Sequence, residues 1–448
     1  MTQTEKMLNA PVKKLVITLA IPTIISMLIS NIYNLVDTAF IGTLGTSASG
    51  AVGVVFGYMA IIQACGFMFA QGSGILMSRR LGANNQEGAK EAASTGFYTS
   101  TTMGILLAVI TLIFIDPIIN ILGSTPTIAP YAKTYIHFIL IAAPAMTASF
   151  ALNNLLRFEG RAKLGMIGLL TGSILNIGGD ALFIFVFKMG IAGAGLSTAI
   201  SQYIGLFILL LPYLRHKTIV GLNPKKISKT AKTYGTIVMT GMPSLIRQGL
   251  SSIATIVLNS LAGGYSDAAV SAMSIANRVS FLALGICLGI GQGFQPISGF
   301  SHGAKKYRRL RDAFKFTFVT AECVMFVLLG IIYCFAPELV QLFRHDPEVI
   351  RIGERALRLL CIGMLLLPGT SVSEMLFQST GSTVMASVIA LLKNGIIFIP
   401  VLIILESIRG LAGIQEAQPL AYMIAYIPAY SCLIAYMRKL PKEDFVES

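Results

Sequence analysis

The sequence predicts an all-α polytopic membrane protein, with twelve transmembrane helices in two parallel six-helix repeats. Three observations lead there. Of the 448 residues, 54% are apolar and only 12% are charged, about half the charged share of a soluble protein. The apolar stretches recur from one end to the other, so lipid must face most of the chain. The second half also repeats the first in one fixed register.

A span needs about 20 mostly apolar residues, and the turns between spans need Gly, Pro or charge. Twelve segments qualify: residues 15–41, 50–78, 93–115, 134–156, 164–187, 191–214, 235–261, 268–298, 315–336, 356–379, 384–406 and 411–437. The first is too long for the hydrophobic region of a signal peptide and carries Asp37, so it reads as the first spanning helix. Pro22 lies within it and, lacking an N–H, is expected to interrupt and kink it. Between spans 6 and 7, the stretch from Arg215 to Lys232 holds six basic residues, no acid and an Asn223-Pro224 turn. It reads as a cytoplasmic linker. In span 8, Gly285, Gly289 and Gly293 recur at every fourth residue, which permits close helix approach. The predicted organisation is an N-terminal six-helix lobe (1–214), a basic linker (215–234) and a C-terminal six-helix lobe (235–448).

A shift of 221 residues brings Pro22 onto Pro243, Gly42 onto Gly263, Gln71-Gly72 onto Gln292-Gly293, Gly82-Ala83 onto Gly303-Ala304 and Gly160 onto Gly381. Near the end the shift becomes 220, with Ala192-Gly193 on Ala412-Gly413. Each repeat has an even number of spans, so both enter the membrane from the same side. Such repeats are parallel and related by an axis along the membrane normal, the plan of a transporter with alternating access.

The net charge of +14 does not point to nucleic acid, because its distribution is wrong for that. No Lys or Arg occurs from Leu15 to Ser78, and the basic residues cluster between apolar segments. With the N-terminus inside, the inner segments hold 24 Lys and Arg and the outer segments 7. Both termini are therefore expected in the cytoplasm. The six cysteines all fall within apolar segments, without a CxxC motif, and read as small buried hydrophobes. The four histidines are scattered, so no zinc site is expected.

Ionisable groups within spans are costly, and each is a functional hypothesis by default. Asp37 lies in span 1 and Asp180 in span 5, and neither span contains a basic residue. At 1.5 Å of rise per residue, Asp37 is roughly 8 Å from the outer end of its span, and Asp180 and Thr198 are about 12 Å inward. Asn176 precedes Asp180 by four residues and shares its helical face. Two carboxylates, an amide and a hydroxyl thus converge in the outer half of the first lobe. All are hard oxygen ligands, suited to Na⁺ or a proton relay and to no soft metal. The plainer alternative is that they are satisfied packing residues. Tyr33 shares the face of Asp37, and Tyr135 begins span 4; on their own both read as interfacial anchors.

The second lobe lacks the acid pair, since Asp37 falls on Leu258 and Asp180 on Val401. It carries Arg247, Glu322, Glu374 and Lys393 within its spans instead, with Glu374 at the repeat mate of Asn153. Glu374 is expected either in a structural ion pair with Arg247 or Lys393, or, with Arg247, in contact with a cationic substrate.

These residues carry a family resemblance. The IYNLVDTAFIG stretch, AQGSGILMSRRLGANN, LLRFEGRAKLGM, LNIGGD, GIAGAGLSTAI and Pro22 together resemble the multidrug and toxic compound extrusion (MATE) family, and within it a bacterial MepA-like branch. The resemblance covers nearly the whole chain. It implies a V-shaped pair of six-helix bundles in the bacterial cell membrane, exporting organic cations in exchange for Na⁺ or H⁺. It also implies cation ligands at Asp37, Asn176, Asp180 and Thr198, with Pro22, Tyr33 and Tyr135 in the supporting network. Asn153 and Asn154 resemble the amides of the family's fourth span, although the depth count puts them nearer the inner end. No cofactor is expected beyond the coupling ion. Small organic cations and lipid are the expected partners, nucleic acid is not, and the chain is expected to act as a monomer. The alternative is a flippase for lipid-linked oligosaccharides, which needs basic residues to hold pyrophosphate. Only Arg247 and Arg278 offer themselves for that.

Overall fold

The computed structural model describes residues 2–441 and 444, and among these the regular elements are helices. A short helix, α1 (Gln3–Asn9), is closed by a reciprocal capping box between Thr2 and Glu5. Then follow α2 (Val12–Gly42), α3 (Thr46–Gly82), α4 (Gln86–Ile113), α5 (Ile115–Ile121), α6 (Ala129–Phe158), α7 (Ala162–Asp180) and α8 (Gly190–Leu214). The second half runs α9 (Ala231–Gly263), α10 (Asp267–Gly303), α11 (Tyr307–Cys334), α12 (Ala336–Phe343), α13 (Pro347–Met364), α14 (Leu367–Thr380), α15 (Thr383–Leu391), α16 (Phe398–Arg409) and α17 (Leu411–Lys439). Among the described residues, ten spans are long and apolar enough to cross a membrane as single segments, and α13 with α14 forms another, bent by 49°. The twelfth, α9, has the length at 33 residues but a more polar face that includes Arg247.

Several local features depart from expectation. Pro22 does not interrupt its helix; α2 is continuous from Val12 to Gly42. The break in span 10 falls just before Pro368, near the start of α14, where proline is tolerated. That span also starts at Pro347 and not near residue 356, because Arg351, Glu354, Arg355 and Arg358 sit on an amphipathic helix. Two π-helical turns were not foreseen, Ala181–Val186 after α7 and Leu392–Ile396 after α15. Of the cysteines only Cys287 and Cys361 are buried, whereas Cys323 and Cys334 are exposed, where an apolar thiol can face lipid.

The chain forms two compact units, Met1–Ala10 with Ile25–Leu245, and Pro11–Ile24 with Ile246–Ser448. The first part of α9 thus belongs to the first unit and the first part of α2 to the second. Glycines make this possible. In the first unit a Cβ at Gly72 of α3 would lie 2.0 Å from the Ile237 carbonyl oxygen, and one at Gly241 would lie 1.9 Å from that of Met68. In the second, a Cβ at Gly293 of α10 would lie 2.6 Å from Ala20 backbone atoms, and one at Gly289 would lie 2.8 Å from the Ile24 Cα. The 221-residue register maps Gly72 onto Gly293 and Ala20 onto Gly241. The same backbone-to-backbone crossing is therefore built once in each unit.

The linker is fastened to the end of α6. Glu159 is fully buried, and its two carboxylate oxygens accept the backbone N–H groups of Ile219 and Val220, each at 3.0 Å. Burial pushes the Glu159 pKa up from 4.5 to about 7, against the opposing pull of those N–H groups and Arg161. The folded state therefore keeps the proton to higher pH than the unfolded chain. Folding takes up a proton in the window from about pH 4.5 to about 7, and stability declines as pH rises through it. Across that window the decline should amount to about 3 kcal/mol. In Glu159→Gln this part of the pH dependence should vanish. Thermal unfolding of both proteins over a pH series checks it, and parallel curves would contradict it.

Candidate functional site

Four helices of the first unit bring polar groups to one buried point. α2 supplies Tyr33 and, one turn on, Asp37; α6 supplies Tyr135; α7 supplies Asn176 and Asp180; α8 supplies Ser197 and Thr198. Asp37 is 3% exposed and Asp180 is 0% exposed. Asn176 Nδ2 donates to Thr198 Oγ1 at 3.2 Å and to Ser197 Oγ at 3.4 Å, while Ser197 Oγ donates to the Asn176 carbonyl at 3.0 Å. Asp37 and Asp180 adjoin each other, Ser197 adjoins Asp180, and Tyr135 adjoins both Asp37 and Thr198.

Small residues let these helices meet. A Cβ at Gly179 would sit 2.5 Å from Ser197 Oγ, and one at Gly195 would sit 2.8 Å from the Phe138 ring. Gly179 thus sets the α7–α8 spacing directly before the acid. The π-helical turn begins directly after Asp180, a departure from α-helical geometry of the kind found at functional sites.

What distinguishes the cluster is its unmet hydrogen bonding. Asp37 Oδ1, both carboxylate oxygens of Asp180, Asn176 Oδ1 and the Tyr135 hydroxyl are buried without a well-formed hydrogen bond. Neither acid has a basic partner among the described residues. Buried oxygens are normally satisfied, so these five have the chemistry of a site for a positive group. A proton shared by the carboxyls, or a hard cation held by carboxylate, amide and hydroxyl oxygens, meets that need.

The remaining sequence-derived residues lie elsewhere. Asn154 donates to the Phe150 carbonyl at 2.8 Å and accepts from Arg157. Asn153 lies against Gly165, at the start of α7. Pro22 belongs to the second unit. Tyr135 is wholly buried beside the acids and is no interfacial anchor. Ser197 was missed by sequence reasoning; its signal was adjacency to Thr198, which the depth count alone had selected. In the second unit Glu374 meets both candidate partners, Arg247 Nη1 at 2.8 Å and Lys393 Nζ at 3.5 Å.

A duplicated helical membrane protein with a buried carboxylate pair in one lobe has the plan of a transporter. The chain belongs to the MatE family, whose model matches it twice, at residues 22–182 and 243–404. The two matches begin 221 residues apart. Over 93% of this chain it is 26% identical to the multidrug export protein MepA of Staphylococcus saprophyticus, covering 92% of that protein. To the MepA of Staphylococcus haemolyticus it is 28% identical over 88% of this chain and 87% of that one. A solved outward-facing structure of a multidrug resistance MATE family transporter superposes with a TM-score of 0.93 at 25% identity, covering 98% of this chain and 99% of the other.

Proposed function

We propose that this chain is a secondary active multidrug efflux transporter that exports organic cations in exchange for H⁺ or Na⁺, with both termini in the cytoplasm of a bacterial cell. The observation that carries the reading is the burial of Asp37 and Asp180 together, with unmet oxygens and no basic partner among the described residues. The names of the staphylococcal relatives support the multidrug part.

The ion arithmetic limits the cycle. Expelling one monovalent cation against about 100 mV, inside negative, costs about 2.3 kcal/mol. One H⁺ or Na⁺ entering in exchange cancels that cost, and its concentration ratio then drives export at about 1.4 kcal/mol per tenfold. Adjacent carboxylates resist joint ionisation, so the site takes one shared proton, or one Na⁺ with one proton. Proteoliposomes loaded with a fluorescent cation, under separately imposed Na⁺ and H⁺ gradients, test this. One of the gradients should drive efflux. Efflux driven by neither would overturn the antiport, and transport electrogenic by two charges would overturn the stoichiometry.

A further inference from the structure

The second unit contains a charged cluster that the coupling mechanism leaves unused. Arg247 of α9, Glu374 of α14 and Lys393 of the Leu392–Ile396 π-helical turn meet inside it. Glu374 is 0% exposed and Lys393 is 4% exposed. Lys393 Nζ also donates to Ser371 Oγ at 3.1 Å. Two basic side chains therefore share one carboxylate at membrane depth.

Arg247 spends one N–H on Glu374 Oε1. A guanidinium carries five N–H donors, and the others meet no protein acceptor among the described residues. Glu374 fixes one edge of the fork and leaves the other free. That free edge is planar and bidentate, the shape that matches two oxygens of a carboxylate better than a spherical ion.

The repeat gives this placement context. Arg247, Glu374 and Lys393 occupy the first, fourth and fifth spans of their lobe. In the first lobe the corresponding spans supply Asp37, Tyr135 and Asp180. The fifth span in each lobe has its ionisable residue at a π-helical turn. The same three spans therefore supply the buried polar cluster of each lobe, at different register positions, with two acids in the first lobe and two basic residues around one acid in the second.

We propose that the Arg247–Glu374–Lys393 cluster is an anion-binding site for the carboxylate of an amphiphile, held by the open edge of the Arg247 guanidinium. That the bound compound is cargo rests on the efflux reading; the binding itself does not. Rhodamine 110 and its methyl ester, rhodamine 123, share one ring system and differ in the free carboxylate. Fluorescence anisotropy with the purified full chain in nanodiscs should show rhodamine 110 binding about tenfold tighter, a difference of about 1.4 kcal/mol. Arg247→Gln should erase that preference while leaving ester binding within about twofold, with Arg247→Lys intermediate because it keeps charge without the fork. Wild-type protein binding the ester as tightly as the acid would overturn the proposal even if the variants failed to fold, and so would an equal loss of both dyes in Arg247→Gln. Selective binding without any transport would instead remove the efflux reading and leave the site.

Discussion

Asp37→Asn and Asp180→Asn should each reduce ion-driven efflux to the level of liposomes without protein, while the variants still insert and fold. The two halves of this expectation have separate causes. Each acid is buried with unmet oxygens and no basic partner among the described residues, so in the proposed antiport its charge is met by the coupling ion. An amide cannot take up the ion's charge, and coupling is lost. A neutral amide is also cheaper in a membrane interior than a carboxylate, so the fold should not suffer. Asp267 supplies the control. It opens α10 at an exposed position, and Asp267→Asn should leave efflux unchanged. Wild-type efflux in both site variants would move the coupling site elsewhere, with Glu322 the first acid to examine.

Gly72→Ala and Gly241→Ala should abolish folding or lower stability by more than the ~1–3 kcal/mol of ordinary overpacking. In each case the new methyl carbon meets a carbonyl oxygen at 2.0 Å or less. A backbone group cannot rotate away as the end of a side chain can, so two helix axes must separate. Gly289→Ala and Gly293→Ala should repeat the effect in the second unit, where the neighbours are backbone atoms of Ile24 and Ala20. Gly53 lies on the same helix as Gly72, with nothing within 4 Å of the place a Cβ would take. Gly53→Ala should therefore be neutral, or stabilising by about 0.5–1 kcal/mol through helix propensity. Folded yield and thermal unfolding in detergent measure all five. Equal tolerance at Gly53 and Gly72 would contradict the close crossing.

The spans were legible because twenty-residue apolar runs have few other uses, and the acid pair because unpaired carboxylates in such runs are costly. Asn176 and Thr198 followed from helical spacing and depth. Ser197 escaped because depth counting takes one residue per turn and cannot tell which of two adjacent hydroxyls faces Asn176. The π-helical turns escaped because hydrophobic periodicity does not register one extra residue in a turn. Pro22 was read as a break from its missing N–H, yet α2 runs through it, as a long helix can when it loses a single backbone hydrogen bond. The pairing of Glu374 with both Arg247 and Lys393 needed three helices brought together, which no spacing rule within one span reports. The glycine crossings were half visible, since the repeat at Gly285, Gly289 and Gly293 marks a close approach without naming the helix that approaches.

The central claim is that one site, Asp37 with Asp180, makes ion and drug binding oppose each other. Such opposition is reciprocal by linkage, so it can be read from drug affinity alone. The most direct measurement is the affinity of a fluorescent organic cation for purified wild-type protein and for the Asp37→Asn/Asp180→Asn double variant, across a pH series and a Na⁺ series. Wild-type affinity should fall as the coupling ion loads. The double variant should bind at the weak, ion-loaded level under every condition. A double variant whose affinity still changed with pH or Na⁺ as the wild type's does would contradict the account.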